Sequence, residues 1–68
     1  MTKKWTILEI QRTMPNVRVM TAGNTYSGRI TIRRPDYASV YVQETGKMYD
    51  FSWLNIERAL NNEWALVV

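Results

Sequence analysis

The sequence predicts a small α+β domain, mainly β, in the order helix, four-stranded antiparallel meander, helix and fifth strand. Three observations predict it. Apolar and polar residues alternate in four stretches between positions 17 and 51, turn-forming residues separate those stretches, and two further segments combine helical spacing with capping residues. At 68 residues, the chain is expected to form a single domain, residues 1–68.

The first helix is predicted at about residues 6–13. Thr6 and Glu9 have the spacing of a capping box, in which each side chain bonds to the other residue's backbone amide. Trp5 and Ile10 flank the box as a hydrophobic staple would. A strand is the alternative for this segment, because its apolar residues also alternate.

The meander follows in four alternating stretches. The predicted strands are residues 17–22, 25–33, 37–44 and 47–51. The turns between them are predicted at Gly23-Asn24, Pro35-Asp36 and Thr45-Gly46. Glycine and asparagine adopt positive φ at little cost, and proline fixes φ near the value that a turn requires, so each pair favours a reversal of the chain.

The second helix is predicted to start after Ser52, whose hydroxyl can accept from the first free amides. Trp53 and Ile56 share one face of this helix, which indicates that they lie in the core. The pair Asn61-Asn62 is expected to end the helix, and the segment 64–68 is predicted to form the fifth strand.

A twisted meander followed by a short helix and a last strand resembles, in architecture alone, the SH3-like small barrels. The resemblance implies that the final strand returns to pair with the first. Small barrels of this kind bind DNA, RNA, peptides or proteins, so the resemblance does not decide the function.

Alternation assigns the residues of the meander to two faces of the sheet, since successive side chains point in opposite directions. The residues expected in the core are Val17, Val19, Tyr26, Gly28, Ile30, Ile32, Ala38, Val40 and Val42. The residues expected on the solvent face are Arg18, Met20, Arg29, Thr31, Arg33, Tyr37, Ser39 and Tyr41. This solvent face is predicted to be basic and aromatic and to have no carboxylate.

The charge distribution agrees with an anionic partner. Residues 1–34 contain seven lysines and arginines and one glutamate, whereas residues 35–68 contain two basic and five acidic residues. The first functional hypothesis is therefore a small nucleic-acid-binding protein, with DNA favoured, that acts as a regulatory or accessory factor of a bacteriophage or mobile element. The expected contact residues are Arg18, Met20, Arg29, Thr31, Arg33, Arg34, Tyr37 and Tyr41.

Two other interpretations stay open. The same face suits a phage or mobile-element module that binds a host protein and inhibits or adapts it, because Tyr, Arg and Met are enriched at interface cores. The apolar fifth strand could pair with its own copy in a homodimer. It could also serve as the oligomer interface of a structural subunit.

Several chemistries are excluded by composition. Without histidine or cysteine the chain has no imidazole or thiolate ligand for a metal and no Ser-His or Cys-His nucleophile. Isolated glycines form no phosphate-binding loop. We therefore expect no enzyme, no cofactor and no metal site. The absence of a signal-like segment or an apolar stretch long enough to span a membrane indicates a cytoplasmic protein.

Overall fold

The computed structural model describes residues 4–68. The chain forms α1 (Ile7–Thr13), β1 (Val17–Thr21), β2 (Asn24–Arg33), β3 (Tyr37–Val42), β4 (Lys47–Ser52), α2 (Trp53–Asn62) and β5 (Leu66–Val67). Lys3, which contributes to the predicted basic half, lies outside the described residues. No helix among residues 4–68 is long and apolar enough to cross a bilayer.

The strands form one curled sheet in the order β4-β3-β2-β1-β5, which makes a half-barrel. β1 to β4 pair as an antiparallel meander, and β5 runs parallel to β1, with Leu66 opposite Val19. The prediction of a mainly β, α+β fold is confirmed, as is the pairing of the last strand with the first. β5 is shorter than the predicted segment 64–68, since only two of its residues join the sheet.

Both helices start at the predicted caps. Thr6 Oγ1 accepts from the Glu9 amide at 3.2 Å, and Ser52 Oγ accepts from the Asn55 amide at 3.2 Å. The strand alternative for the first segment is wrong. The segment is helical because the Thr6 cap accepts from an amide that has no partner within the helix, and because the helix buries Ile10 completely.

The core lies between the inner face of the sheet and the helices. Its buried members are Ile10, Val17, Val19, Ile30, Ala38, Val40, Val42, Trp53, Ile56, Ala59 and Leu66. Small and β-branched side chains from the sheet pack against the apolar stripe of α2, and Ile10 of α1 adds to this core. The opposite face of the sheet, which no helix covers, is its outer face.

Two of the predicted turns differ in their exact residues. In the first hairpin the two-residue loop is Ala22-Gly23 rather than Gly23-Asn24, because Thr21 pairs with Asn24. Ala22 and Gly23 both have positive φ, at 52° and 78°, which matches the twist of a two-residue hairpin. The third strand ends at Val42 rather than residue 44, since a four-residue turn follows it.

Gly28 sits in the middle of β2, where the sheet is most crowded. A Cβ atom at this position would lie 2.5 Å from Val40 Cγ1 and 3.0 Å from Val19 Cγ2. The side chains of β1 and β3 therefore converge on the space that a larger residue would fill. This close approach accommodates the curl of the sheet.

Asn61 joins the start of the chain to the end of α2. Its Oδ1 accepts from the Trp5 amide, and its Nδ2 donates to the Trp5 carbonyl at 3.0 Å. One side-chain amide thus pairs with both backbone groups of Trp5, as a neighbouring strand would. The sequence interpretation, in which Asn61 only ended the helix, missed this contact.

We predict that Gly28→Ala lowers the free energy of unfolding by about 1–3 kcal/mol, since an added methyl overpacks the core. Urea unfolding followed by circular dichroism measures the change. Ser27→Ala, an exposed neighbour, is the control and should stay within about 0.5 kcal/mol of the wild type. A Gly28→Ala protein of wild-type stability would contradict the close approach.

A second prediction concerns the Asn61 contact. Asn61→Ala should lower the free energy of unfolding by about 1–3 kcal/mol, because it leaves two part-buried backbone groups of Trp5 without this partner. Asn62→Ala is the matched control, since the exposed Asn62 bonds only to the carbonyl of Arg58 in its own helix. Equal losses in the two variants would contradict the role of Asn61.

Candidate binding surface

The outer face is built from three adjacent strands. Arg29 of β2 lies opposite Tyr41 of β3, and Tyr41 lies opposite Met48 of β4, so the three residues form one row across the sheet. Tyr37 lies further along β3, and all four side chains are exposed. This row agrees with the predicted positions of Arg29, Tyr37 and Tyr41.

A β-bulge in β2 changes the faces after Ile30. The register shifts between Ile30 and Ile32, so that Thr31 and Ile32 both oppose Ser39. Ile32 is consequently exposed on the outer face, although alternation assigned it to the core. Arg33 is opposite the buried Ala38 and therefore belongs to the inner side of the sheet. The prediction that Arg33 shares a face with Arg29 is wrong.

The guanidinium of Arg33 contacts α1. Its Nη1 donates to the carbonyl oxygen of Gln11 at 2.8 Å, near the end of the helix. The last carbonyls of a helix have no partner within it and carry partial negative charge, so a guanidinium is a favourable donor there. Arg33 thus holds α1 against the rim of the sheet.

Arg18 is also bound within the fold. It lies opposite Ser27 on the outer face, but its Nη2 donates to the carbonyl of Glu63, which caps the C-terminal end of α2. Arg18 and Arg33 thus contact different helices, and both are engaged in ordering the domain.

One carboxylate lies on the outer face, contrary to the prediction that the face has none. Asp50 of β4 is opposite Ser39, and its Oδ1 accepts from Ser39 Oγ at 2.6 Å. Thr31 Oγ1 is within 3.2 Å of the Ser39 carbonyl. The prediction covered only β1, β2 and β3, whereas β4 contributes this charge.

The outer face has an apolar patch. Ile32, Tyr37, Tyr41 and Met48, the outer patch, are each between 36% and 50% exposed. Thr31 Oγ1 lies 3.5 Å from Met48 Sδ, which connects β2 to β4 across β3. Met20 lies apart from the outer patch, beside Val67 at the β5 end of the sheet.

Arg29 borders the outer patch and forms no hydrogen bond through its guanidinium among residues 4–68. A cleft of about 170 Å³ adjoins it, and the residues that line this cleft are Asn16, Ser27, Gly28, Arg29, Tyr41, Gln43 and Glu44. Amide, hydroxyl and guanidinium donors thus surround one opening beside Tyr41, with the Glu44 carboxylate at its rim.

Arg34 lies in the loop between β2 and β3. Its amide donates to the Tyr37 carbonyl at 2.9 Å, and its own carbonyl accepts from Trp53 Nε1 at 2.7 Å. These two bonds hold the loop over the start of α2, while the Arg34 side chain is exposed. The predicted Pro35-Asp36 turn is confirmed at this position.

The structure thus brings only some of the predicted contact residues together on one face of the sheet. Arg29, Thr31, Tyr37 and Tyr41 share the outer face, whereas Arg33 is directed to α1. Sequence reasoning missed Met48, Asp50 and Ile32. Alternation within β4 could have identified Met48 and Asp50, because they alternate with Lys47, Tyr49 and Phe51.

Among residues 4–68, no group of three carboxylate, imidazole or thiolate side chains could hold a metal ion. Comparison with protein-family models, curated proteins and solved structures finds no match to this chain.

Proposed function

We propose that this protein is a binding module that contacts another protein through the outer patch. The observation that supports the proposal is the apolar content of the patch, in which an isoleucine, a methionine and two tyrosines are exposed on one face around the bonded pair Ser39 and Asp50. Exposed apolar patches of this kind mark interaction surfaces, and tyrosine and methionine are enriched at interface cores.

The charges around the patch favour a protein over a nucleic acid as the partner. Of the three arginines predicted for this face, Arg18 and Arg33 donate to backbone carbonyls of the helices, which leaves Arg29. Asp50 adds a negative charge, which would repel phosphates. One cation beside an apolar surface is the composition of a protein interface with a charged rim.

The partner that best fits the outer patch has an apolar surface and a carboxylate positioned for Arg29. An arginine can bind a carboxylate through two parallel hydrogen bonds, and the amides of Asn16 and Gln43 lie in the same cleft. Asp50 would disfavour a second carboxylate further along the sheet. The proposal includes a cytoplasmic location, an SH3-like closure of the half-barrel and no catalytic activity.

The test replaces Tyr41 by the photo-crosslinking residue p-benzoylphenylalanine and irradiates the protein in a lysate of its source. Leu54, an exposed apolar residue of α2, receives the same replacement as the matched control. We predict that one protein crosslinks at position 41 and not at position 54. That protein is then purified, and its affinity for the unlabelled chain is measured.

In the purified pair, Met48→Glu should weaken binding by at least about 30-fold, the effect of losing a central contact worth about 2 kcal/mol. Leu54→Glu should leave the affinity unchanged. Crosslinking to nucleic acid alone, or equal crosslinking from both positions, would contradict the proposal.

A nucleic acid is the second candidate partner, with DNA favoured and a regulatory or accessory role. One observation favours it. The bond from Arg33 to Gln11 places α1 beside the end of β2, where Arg12 of α1 and Arg34 of the following loop are both exposed. These two arginines at one end of the molecule could contact phosphates, with Arg29 and the tyrosines further along the sheet.

This candidate predicts binding to short duplex DNA that weakens steeply with salt, by about 0.7–0.9 log units per log unit of salt for each phosphate neutralised. Fluorescence titrations with duplex and single-stranded DNA at two salt concentrations measure the slope. The double variant Arg12→Gln/Arg34→Gln should reduce the salt slope by the contribution of about two phosphates. The matched control Arg58→Gln, on α2, should not. Affinity that ignores salt would exclude this candidate.

A further inference from the structure

The two edges of the sheet differ in how they are protected. β4, at one edge, has the charged residues Lys47 and Asp50 within the strand. β5, at the other edge, has neither charge, proline nor glycine in the segment Ala65 to Val68. Proteins blunt free strand edges with charges, prolines, bulges or a very short edge strand, because an unprotected edge pairs with another strand. β5 has only its length of two residues as such protection.

The backbone of β5 has groups directed away from the sheet. The Val68 amide donates to the Met20 carbonyl at 3.0 Å, and the parallel register pairs Leu66 with Val19. Bonding groups alternate in direction along a strand, so those of Leu66 and Val68 face β1. The amides and carbonyls of Ala65 and Val67 consequently face outward.

The side chains around this edge are apolar and largely exposed. Trp64, Val67 and Val68 are exposed by 63%, 71% and 57%. Trp64 also lines the grooves beside α2, so its ring lies next to the edge rather than in the core. This surface is separate from the outer patch.

We propose that the β5 edge pairs in antiparallel fashion with β5 of a second copy of this chain. A second copy is the favoured partner because the segment is complementary to itself. A two-fold axis at Leu66 places Ala65 opposite Val67 of the other copy, so that their outward groups form hydrogen bonds. The same register places Trp64 opposite Val68 of the other copy, on both sides of the axis. Each exposed apolar residue thus acquires an apolar neighbour, and no like charges face each other within the strand.

The pairing would join two half-barrels into a continuous ten-stranded sheet, twice the five strands of one copy. The strand contact is short, so the dimer belongs to the weak end of specific interfaces and forms in a concentration-dependent way. It leaves both outer patches accessible.

Sedimentation equilibrium of the purified protein over about a hundredfold range of concentration tests the proposal, because the dimer fraction must rise with concentration. Val67→Glu should raise the dissociation constant by at least about tenfold, since it places two carboxylates near the axis. Leu8→Glu, a similarly exposed apolar position on α1, is the matched control and should leave the dissociation constant unchanged. A wild-type protein that is monomeric at every concentration would overturn the proposal.

The register has its own test, which uses the absence of cysteine from the chain. Trp64→Cys and Val68→Cys proteins, one of them carrying a mass tag, are mixed under mild oxidation. A disulfide-linked heterodimer is expected in the mixture, and neither protein alone should crosslink efficiently, because its own thiols lie on opposite sides of the axis. A mixture of Leu8→Cys with Val68→Cys is the control. Crosslinking that is equal in all mixtures would overturn the register. Both measurements use this chain alone, so they are independent of the partner at the outer patch.

Discussion

The close packing at Gly28 is the constraint on which the rest of the structure depends. Val19 and Val40 converge on the space above Gly28, so that any side chain there would force them to shift. β1 and β3 can then bend toward each other on the inner side of β2, which curls the sheet. A curled sheet of this size has a concave face that α2, a helix of ten residues, covers together with Ile10 of α1. The outer face is left without a covering layer.

The helices also determine which cations remain available to a partner. α1 and α2 are short, and the C-terminal end of each has carbonyl groups without a partner within the helix. Arg33 and Arg18 donate to carbonyls at the ends of α1 and α2 respectively. Two guanidinium groups that give the first half of the sequence its basic character are thereby occupied in the fold. Net charge counted along a sequence therefore overstates the charge that a binding surface presents.

The elements could be predicted from local signals, because those signals act within a few residues. The cap at Thr6, the cap at Ser52 and the turn at Pro35-Asp36 all depend on neighbouring side chains and backbone groups. The loop of the first hairpin lies one residue earlier than predicted, because Ala22 adopts positive φ, which alanine rarely does. Contacts between distant segments, such as the one from Asn61 to Trp5, have no local signal and could not be predicted.

The composition of the candidate site was predicted in part, and the bulge at Thr31 explains the rest. Strict alternation assumes that every residue of β2 has one partner on β3, whereas Thr31 and Ile32 share Ser39. The extra residue reverses the faces of everything that follows it in the strand. One local irregularity thus has two effects, since it exposes Ile32 on the outer face and directs Arg33 to α1. The apolar character of the outer patch and the contact of Arg33 with α1 are consequences of the same register shift. A change that removed the bulge would therefore exchange an isoleucine for an arginine on the outer face and break the bond from Arg33 to α1 at the same time.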